Sequence, residues 1–253
     1  MSGFHPMRLI RKRFAQSSSL SRQPDSTDLK AVNVAFVAAI KAQMSHVEAM
    51  ESAIGGGFEQ FGAIELSVLR HYGLQIGGHL VDVGCGSGRL ARPLSAWLTG
   101  TYLGIDLVPD LIAHARKISA RPDWRFEVID HIGIPEADEA ADMVCFFSVL
   151  THLLHEQSFW YLEEARRVLK PGGMVVFSFL EFRDPVHLQI FRDTVTNHKR
   201  KGLQPLNTFI ERAAIEIWAR ELGVEVVDIR DGSDPVVAEG ALGQSICVLR
   251  KPV

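Results

Sequence analysis

The 253-residue chain is predicted to fold as an α/β protein: a doubly wound, mainly parallel sheet of seven strands with helices on both faces and an amino-terminal helical extension. Three observations carry this. From His79 onward, short apolar runs alternate with stretches of helical periodicity, the pattern of strand–helix crossovers. The first of those runs ends in a glycine-rich turn, Gly84-Cys85-Gly86-Ser87-Gly88. Hydrophobic residues make up 47% of the chain, enough for a sizeable core.

In order, Leu29, Val32, Phe36, Ile40, Met44 and Val47 recur at three or four residues, which predicts one amphipathic helix from Asp28 to Ala53. Gly55-Gly56-Gly57 breaks it, and a second helix carries Ile64, Val68, Leu69 and Tyr72 before Gly73 closes it. The strands follow at 79–83, 101–106, 124–129, 142–147, 174–179, 225–229 and 245–249. Between them, helices are predicted at 90–98, 109–119 (opened by Pro109), 156–169 and 209–222. Asp184 to Leu206 is polar and is expected to form an irregular lid or insertion. The domains are therefore a basic mobile tail (1–27), a helical lid or extension (28–77) and a ligand-binding domain (78–253), with a substrate lid at 183–206.

Composition narrows the function. A net charge of −3 argues against a nucleic-acid partner, and no apolar run approaches the roughly 20 residues that span a bilayer. Before Asp25 there is no acid but five cations, Arg8, Arg11, Lys12, Arg13 and Arg22, so a peripheral contact with anionic lipid is one reading of the tail. Cys85, Cys145 and Cys247 show neither paired nor metal-type spacing, which predicts buried thiols, a cytoplasmic location and no metal centre.

The glycine loop follows the first strand and precedes a helix, where nucleotide-like ligands bind in such sheets. A dinucleotide fingerprint would need glycine where Arg89 stands, and no Gly-Lys-Ser/Thr follows to make a phosphate loop. Asp106 ends the next strand, 24 positions beyond Asp82. A carboxylate there can accept from both hydroxyls of a ribose, each such bond contributing about 1.5–3 kcal/mol.

Val81 to Gly88, Gly104-Ile105-Asp106, Phe126 with Asp130, and Arg166 to Gly173 together resemble the core of class I S-adenosylmethionine-dependent methyltransferases over residues 78–180. That resemblance implies S-adenosylmethionine as cofactor and an antiparallel hairpin at the end of the sheet. It implies that Gly84, Cys85, Gly86 and Gly88 line the methionine and ribose, with Asp82 supporting the loop. It also implies Asp106 on the ribose, Leu107 beside the adenine, Asp130 and His131 near its amino group, and Phe147 and Ser148 lining the cofactor. Phe58, Gln60 and Phe61 are expected to close over it.

A hydroxyl acceptor must lose a proton, so a base is expected where the fourth strand ends. His152 is the first candidate and Glu181 a second, with His155, Asp184 and His187 further options. The segment 148–155 resembles methyltransferases of small hydroxylated molecules, including sugars of glycolipids and polysaccharides. N-methylation of an amine or protein side chain, and a cofactor-binding partner without catalysis, are the alternatives.

Overall fold

The computed structural model describes residues 29–200 and 206–253. The basic tail, with Arg8, Arg11, Lys12 and Arg13, lies outside the described residues.

Seven strands form one sheet: β1 (His79–Val83), β2 (Thr101–Asp106), β3 (Arg125–Val128), β4 (Ala141–Phe146), β5 (Leu169–Phe179), β6 (Glu225–Arg230) and β7 (Ser245–Arg250). Their order is β3-β2-β1-β4-β5-β7-β6. Pairing is parallel from β3 through β5, while β7 lies antiparallel between β5 and β6. The strand order therefore reverses between β1 and β4, and their carboxyl ends open the crevice where such sheets bind ligands.

Side-chain alternation divides the core. Val81, Val83, Leu103, Ile105, Phe146 and Phe177 face one layer with α6 (His155–Val168) and α8 (Arg212–Leu222). Leu80, Tyr102, Met143, Cys145 and Val176 face the other, under α3 (Phe58–His71), α4 (Ala91–Ser95) and α5 (Pro109–Ser119). Successive strand residues point to opposite faces, so helices on both sides require apolar residues at every strand position.

The predicted helix over 28–53 is two helices, α1 (Leu29–Lys41) and α2 (His46–Ala53). Ser45 caps α2 in a capping box: its Oγ accepts from the Glu48 amide, and the Glu48 carboxylate accepts from the Ser45 amide at 3.1 Å. The register shifts there, so Val47 is 54% exposed while Ala49 and Met50 are buried. Both helices pack on Leu107, Val108 and Leu111 through Val37, Ile40, Ala49 and Met50.

The predicted irregular segment at 183–206 contains a helix, α7 (Pro185–Lys199). The Asp184 carboxylate accepts from the Val186 amide at 2.8 Å, and Pro185 opens the first turn. Phe209, read as the start of α8, is instead bridged to Leu180 beside β5, and α8 begins three residues later. Among the described residues, no helix is long and apolar enough to cross a membrane.

Candidate active site

The glycine loop leaves β1 with Gly84 and Gly88 at φ 72° and 92°, a region that strongly favours glycine. A Cβ at Gly84 would fall on the Val149 side chain, so the segment after β4 packs directly against the loop. At Gly86 the neighbour is Ile54, and the Ser87 hydroxyl donates to the Met50 carbonyl at 2.8 Å. The amino-terminal helices and the end of β4 thus flank the loop.

Where the loop amides point is informative. Gly84 and Cys85 both donate to the Ile105 carbonyl, at 2.8 and 3.0 Å, and Gly88 donates to Cys85 at 3.1 Å. The Gly86 amide donates to Asp106 Oδ2 at 3.0 Å, and the Val108 amide to Oδ1 at 2.9 Å. Four loop amides are therefore committed within the protein. A pyrophosphate cradle needs such amides free; a cofactor carrying ribose, adenine and no phosphate does not. Asp106 is half-buried at the end of β2, its pKa raised by burial against its backbone bonds, and each oxygen keeps a second acceptor position. This donor and acceptor set fits S-adenosylmethionine.

Asp82 and Cys85 both lie buried beneath the loop. Asp82 is 3% exposed; its Oδ2 accepts from the Tyr102 hydroxyl at 2.7 Å and its Oδ1 from the Cys145 thiol at 3.5 Å. Burial pushes its pKa up to about 7. It braces the loop from beneath, through β2 and β4. Cys85 is buried against Gly104, its thiol also pushed up by burial.

Arg89 pairs with the buried Glu65 of α3, donates to the Ile54 carbonyl at 3.1 Å and lies 5.6 Å over the Phe61 ring. Phe61 therefore serves a guanidinium, Phe58 is core at 5% exposure and Gln60 faces solvent, so the expected closure of these three over the cofactor is corrected. The composition of α3 did not reveal that its Glu65 would meet the residue replacing the third glycine.

Leu107 packs half-buried against the α1–α2 cluster. Asp130 and His131 are exposed at the end of β3, 3.3 Å apart, and Lys30 of α1 reaches Asp130 at 3.6 Å. A side-chain bond from His131, followed by the Lys30 charge, holds the Asp130 carboxyl below its ordinary value. Phe147 is largely core, at 8% exposure. Ser148 adopts φ 59°, unusual for a residue with a side chain, and its amide donates to Ser178 Oγ at 2.7 Å. The turn is followed by Val149, whose side chain packs against Gly84 of the glycine loop.

His152 ends a short 3₁₀ turn (Leu150–His152), and its Nδ1 lies 2.6 Å from the Leu206 carbonyl. Since a carbonyl only accepts, Nδ1 carries the proton and Nε2 keeps its lone pair. Burial holds the pKa of His152 below the ordinary histidine value, opposed by the smaller effect of the Leu206 bond. His155 reaches the Phe209 carbonyl through Nε2 at 3.0 Å.

Glu181 is not free to act as a base. It is fully buried, accepts from Arg212 Nε at 2.9 Å and Nη2 at 2.7 Å, and from the Ser245 hydroxyl at 2.5 Å. His187 is equally enclosed: its Nδ1 accepts from the Glu181 amide at 3.1 Å, and its Nε2 meets the Gly243 carbonyl at 3.1 Å. Asp184 is spent on capping α7. These groups join β5, α7, α8 and the 243–245 turn rather than facing an acceptor.

A doubly wound sheet of this order, a glycine loop without a free phosphate cradle and an acid at the end of β2 define a nucleoside-binding transferase of the methyltransferase class. Residues 80–173 match the family model described as a methyltransferase domain. This domain and the relatives named as O-methyltransferases support a class I S-adenosylmethionine-dependent methyltransferase with S-adenosylmethionine as its cofactor. It is similar to a ubiquinone biosynthesis O-methyltransferase of Nitrosococcus oceani, 26% identical over 191 residues that cover 73% of this chain and 80% of the relative. A second, from Hydrogenovibrio crunogenus, is 29% identical and covers 69% of this chain and 73% of its own. In fold the chain resembles a magnesium protoporphyrin IX methyltransferase of Synechocystis PCC 6803 (TM-score 0.64, 15% identity, 90% and 100% of the two chains). It also resembles a methyltransferase of Methanosarcina mazei (TM-score 0.59, 18% identity, 73% and 97%).

Asp106→Ala is expected to weaken cofactor binding by about 1.5–3 kcal/mol through lost hydroxyl bonds, with an added cost from the released Gly86 amide. Calorimetric titration with S-adenosylmethionine measures this; unchanged affinity would remove Asp106 from the ribose.

Proposed function

We propose that this methyltransferase acts on oxygen, methylating a small hydroxylated acceptor, with the sugar of a glycolipid or polysaccharide as the leading class. The observation that carries this reading is His152. Its tautomer is set by the Leu206 carbonyl, its neutral form is favoured by burial, and it follows a turn packed on the glycine loop. An amine delivered neutral needs no such base, whereas a hydroxyl does. The relatives named as O-methyltransferases support oxygen over nitrogen.

Bound S-adenosylmethionine supplies an electrophilic methyl group on a sulfonium. Asp106 would hold its ribose, Leu107 would border the adenine and the backbone of 84–88 would line the remainder, with Asp130, His131, Phe147 and Ser148 around them. His152 Nε2 takes the acceptor's hydroxyl proton as the acceptor oxygen gains the methyl group. The imidazole of His152 would thereby become an imidazolium and carry the proton released by the acceptor. Holding such a pair in line lowers a barrier by roughly 7–11 kcal/mol. In this reading α1 and α2 form a lid over the cofactor, and the 183–206 segment borders the acceptor.

The test is a mass-spectrometric screen of cell extracts with the purified enzyme and isotope-labelled cofactor. A labelled methyl ether on a sugar or other hydroxylated product is expected. Label found only on nitrogen would overturn the oxygen assignment, and no product beside normal cofactor binding would favour a non-catalytic partner.

A further inference from the structure

The face formed by α7 and the strand-like segment beside it is unusual for this chain. Only His187 of α7 is buried. Leu188, Phe191 and Val195 lie at helical spacing along one stripe, and Phe191 and Val195 are 39% and 37% exposed. Phe182 (44% exposed) adds its ring, at 5.3 Å from Phe191 edge to face, and Leu206, 38% exposed, lies next to Asn207, which donates to Thr194 of α7 at 2.7 Å. Phe209 supports it from below, stacked on Phe182 at 4.6 Å. The three rings thus pack as one cluster, with its outer two rings partly exposed to solvent.

Its rim is cationic. Arg183, Arg192, Lys199 and Arg200 are all exposed and form no ion pair among the described residues. The two acids of the segment are internally engaged: Asp184 is buried as the helix cap, and Asp193 accepts from Gln189 at 3.0 Å. This positive excess stands out in a chain of formal net charge −3. An exposed aromatic stripe flanked by cations is complementary to a bilayer interface, where the rings enter the acyl boundary and the cations meet lipid phosphates.

We propose that α7 and the adjoining Phe182–Leu206 patch dock on a membrane surface rich in anionic phospholipid. Docking there places the bilayer beside the acceptor face, because Leu206 is at once part of the patch and the residue that holds His152. The site differs from the basic tail, and it stands whichever atom of the acceptor is methylated.

Cosedimentation of the full-length protein with vesicles tests this. Binding is expected to phosphatidylcholine vesicles containing phosphatidylglycerol, to be weak on phosphatidylcholine alone, and to fall as salt is raised. The double variant Phe182→Ser/Phe191→Ser should bind about tenfold more weakly, a loss of about 1.4 kcal/mol shared between the two rings. Arg192→Glu/Lys199→Glu should abolish the preference for anionic lipid. Exposed Val195→Asp serves as an independent variant should the double phenylalanine change fail to fold, and cofactor affinity by calorimetry reports folding in each. Wild-type vesicle binding by all folded variants would overturn the proposal, as would sedimentation showing a dimer that Phe191→Ser splits.

Discussion

Replacing His152 with Gln is expected to lower turnover about 10²–10⁴-fold, the usual contribution of a positioned general base. Gln keeps a polar group near the Leu206 carbonyl but cannot hold a transferred proton at a lone pair like Nε2. Cofactor affinity should stay within error, because the glycine loop is held by Ile105, Asp106 and Met50 rather than by His152. The pH profile supplies a second readout. Burial depresses this histidine's pKa, so its neutral, proton-accepting form prevails above that value and is lost below it. The wild-type kcat/KM should therefore rise with pH through a single ionisation below about 6.5 and then level, while His152→Gln shows no such step. Wild-type turnover in the variant at saturating acceptor would take His152 out of the reaction.

Glu181→Ala is expected to cost about 3 kcal/mol of stability, near the lower end for breaking a buried ion pair. The carboxylate is fully buried, while Arg212 is 22% exposed and keeps Asp231 as a partner, which limits the loss. The Ser245 hydroxyl also loses its acceptor, and the ends of β5 and β7 lose a common anchor. Urea denaturation should show a lower midpoint with little change in slope. The variant that remains folded at low temperature should retain most of its turnover. Full stability with abolished turnover would restore Glu181 as a catalytic base.

The two carboxylates and histidines that were candidates after β4 and β5 illustrate how far residue type goes. His152 ranks ahead of Glu181 in the sequence, yet nothing there removes Glu181 as a base. Their difference lies in partners contributed from far along the chain: Arg212 and Ser245 for the one, a single carbonyl for the other. The same applies to Asp82, whose acceptors are used by Tyr102 and Cys145 on neighbouring strands.

Signals for two helices were present but outweighed. Ser45 with Glu48 is a capping box in plain sight, yet the apolar period running through Met44 and Val47 masked the break. Asp184-Pro185 marks a helix start, but α7 buries only His187, so its stripe carries no core-facing periodicity to confirm it.

By itself the sequence determined the alternation of strands and helices, the glycine loop and Asp106 at a strand end, and these carry the family resemblance that implies the cofactor. Each depends on local pattern: period, turn chemistry and the residue type a short loop demands. Only the tertiary structure decided that the loop amides are committed inward, that Arg89 is neutralised by Glu65, and which of two bases has a free lone pair. Those outcomes depend on groups that are distant in sequence and adjacent in space, and burial then sets which of them can hold a charge or give up a proton.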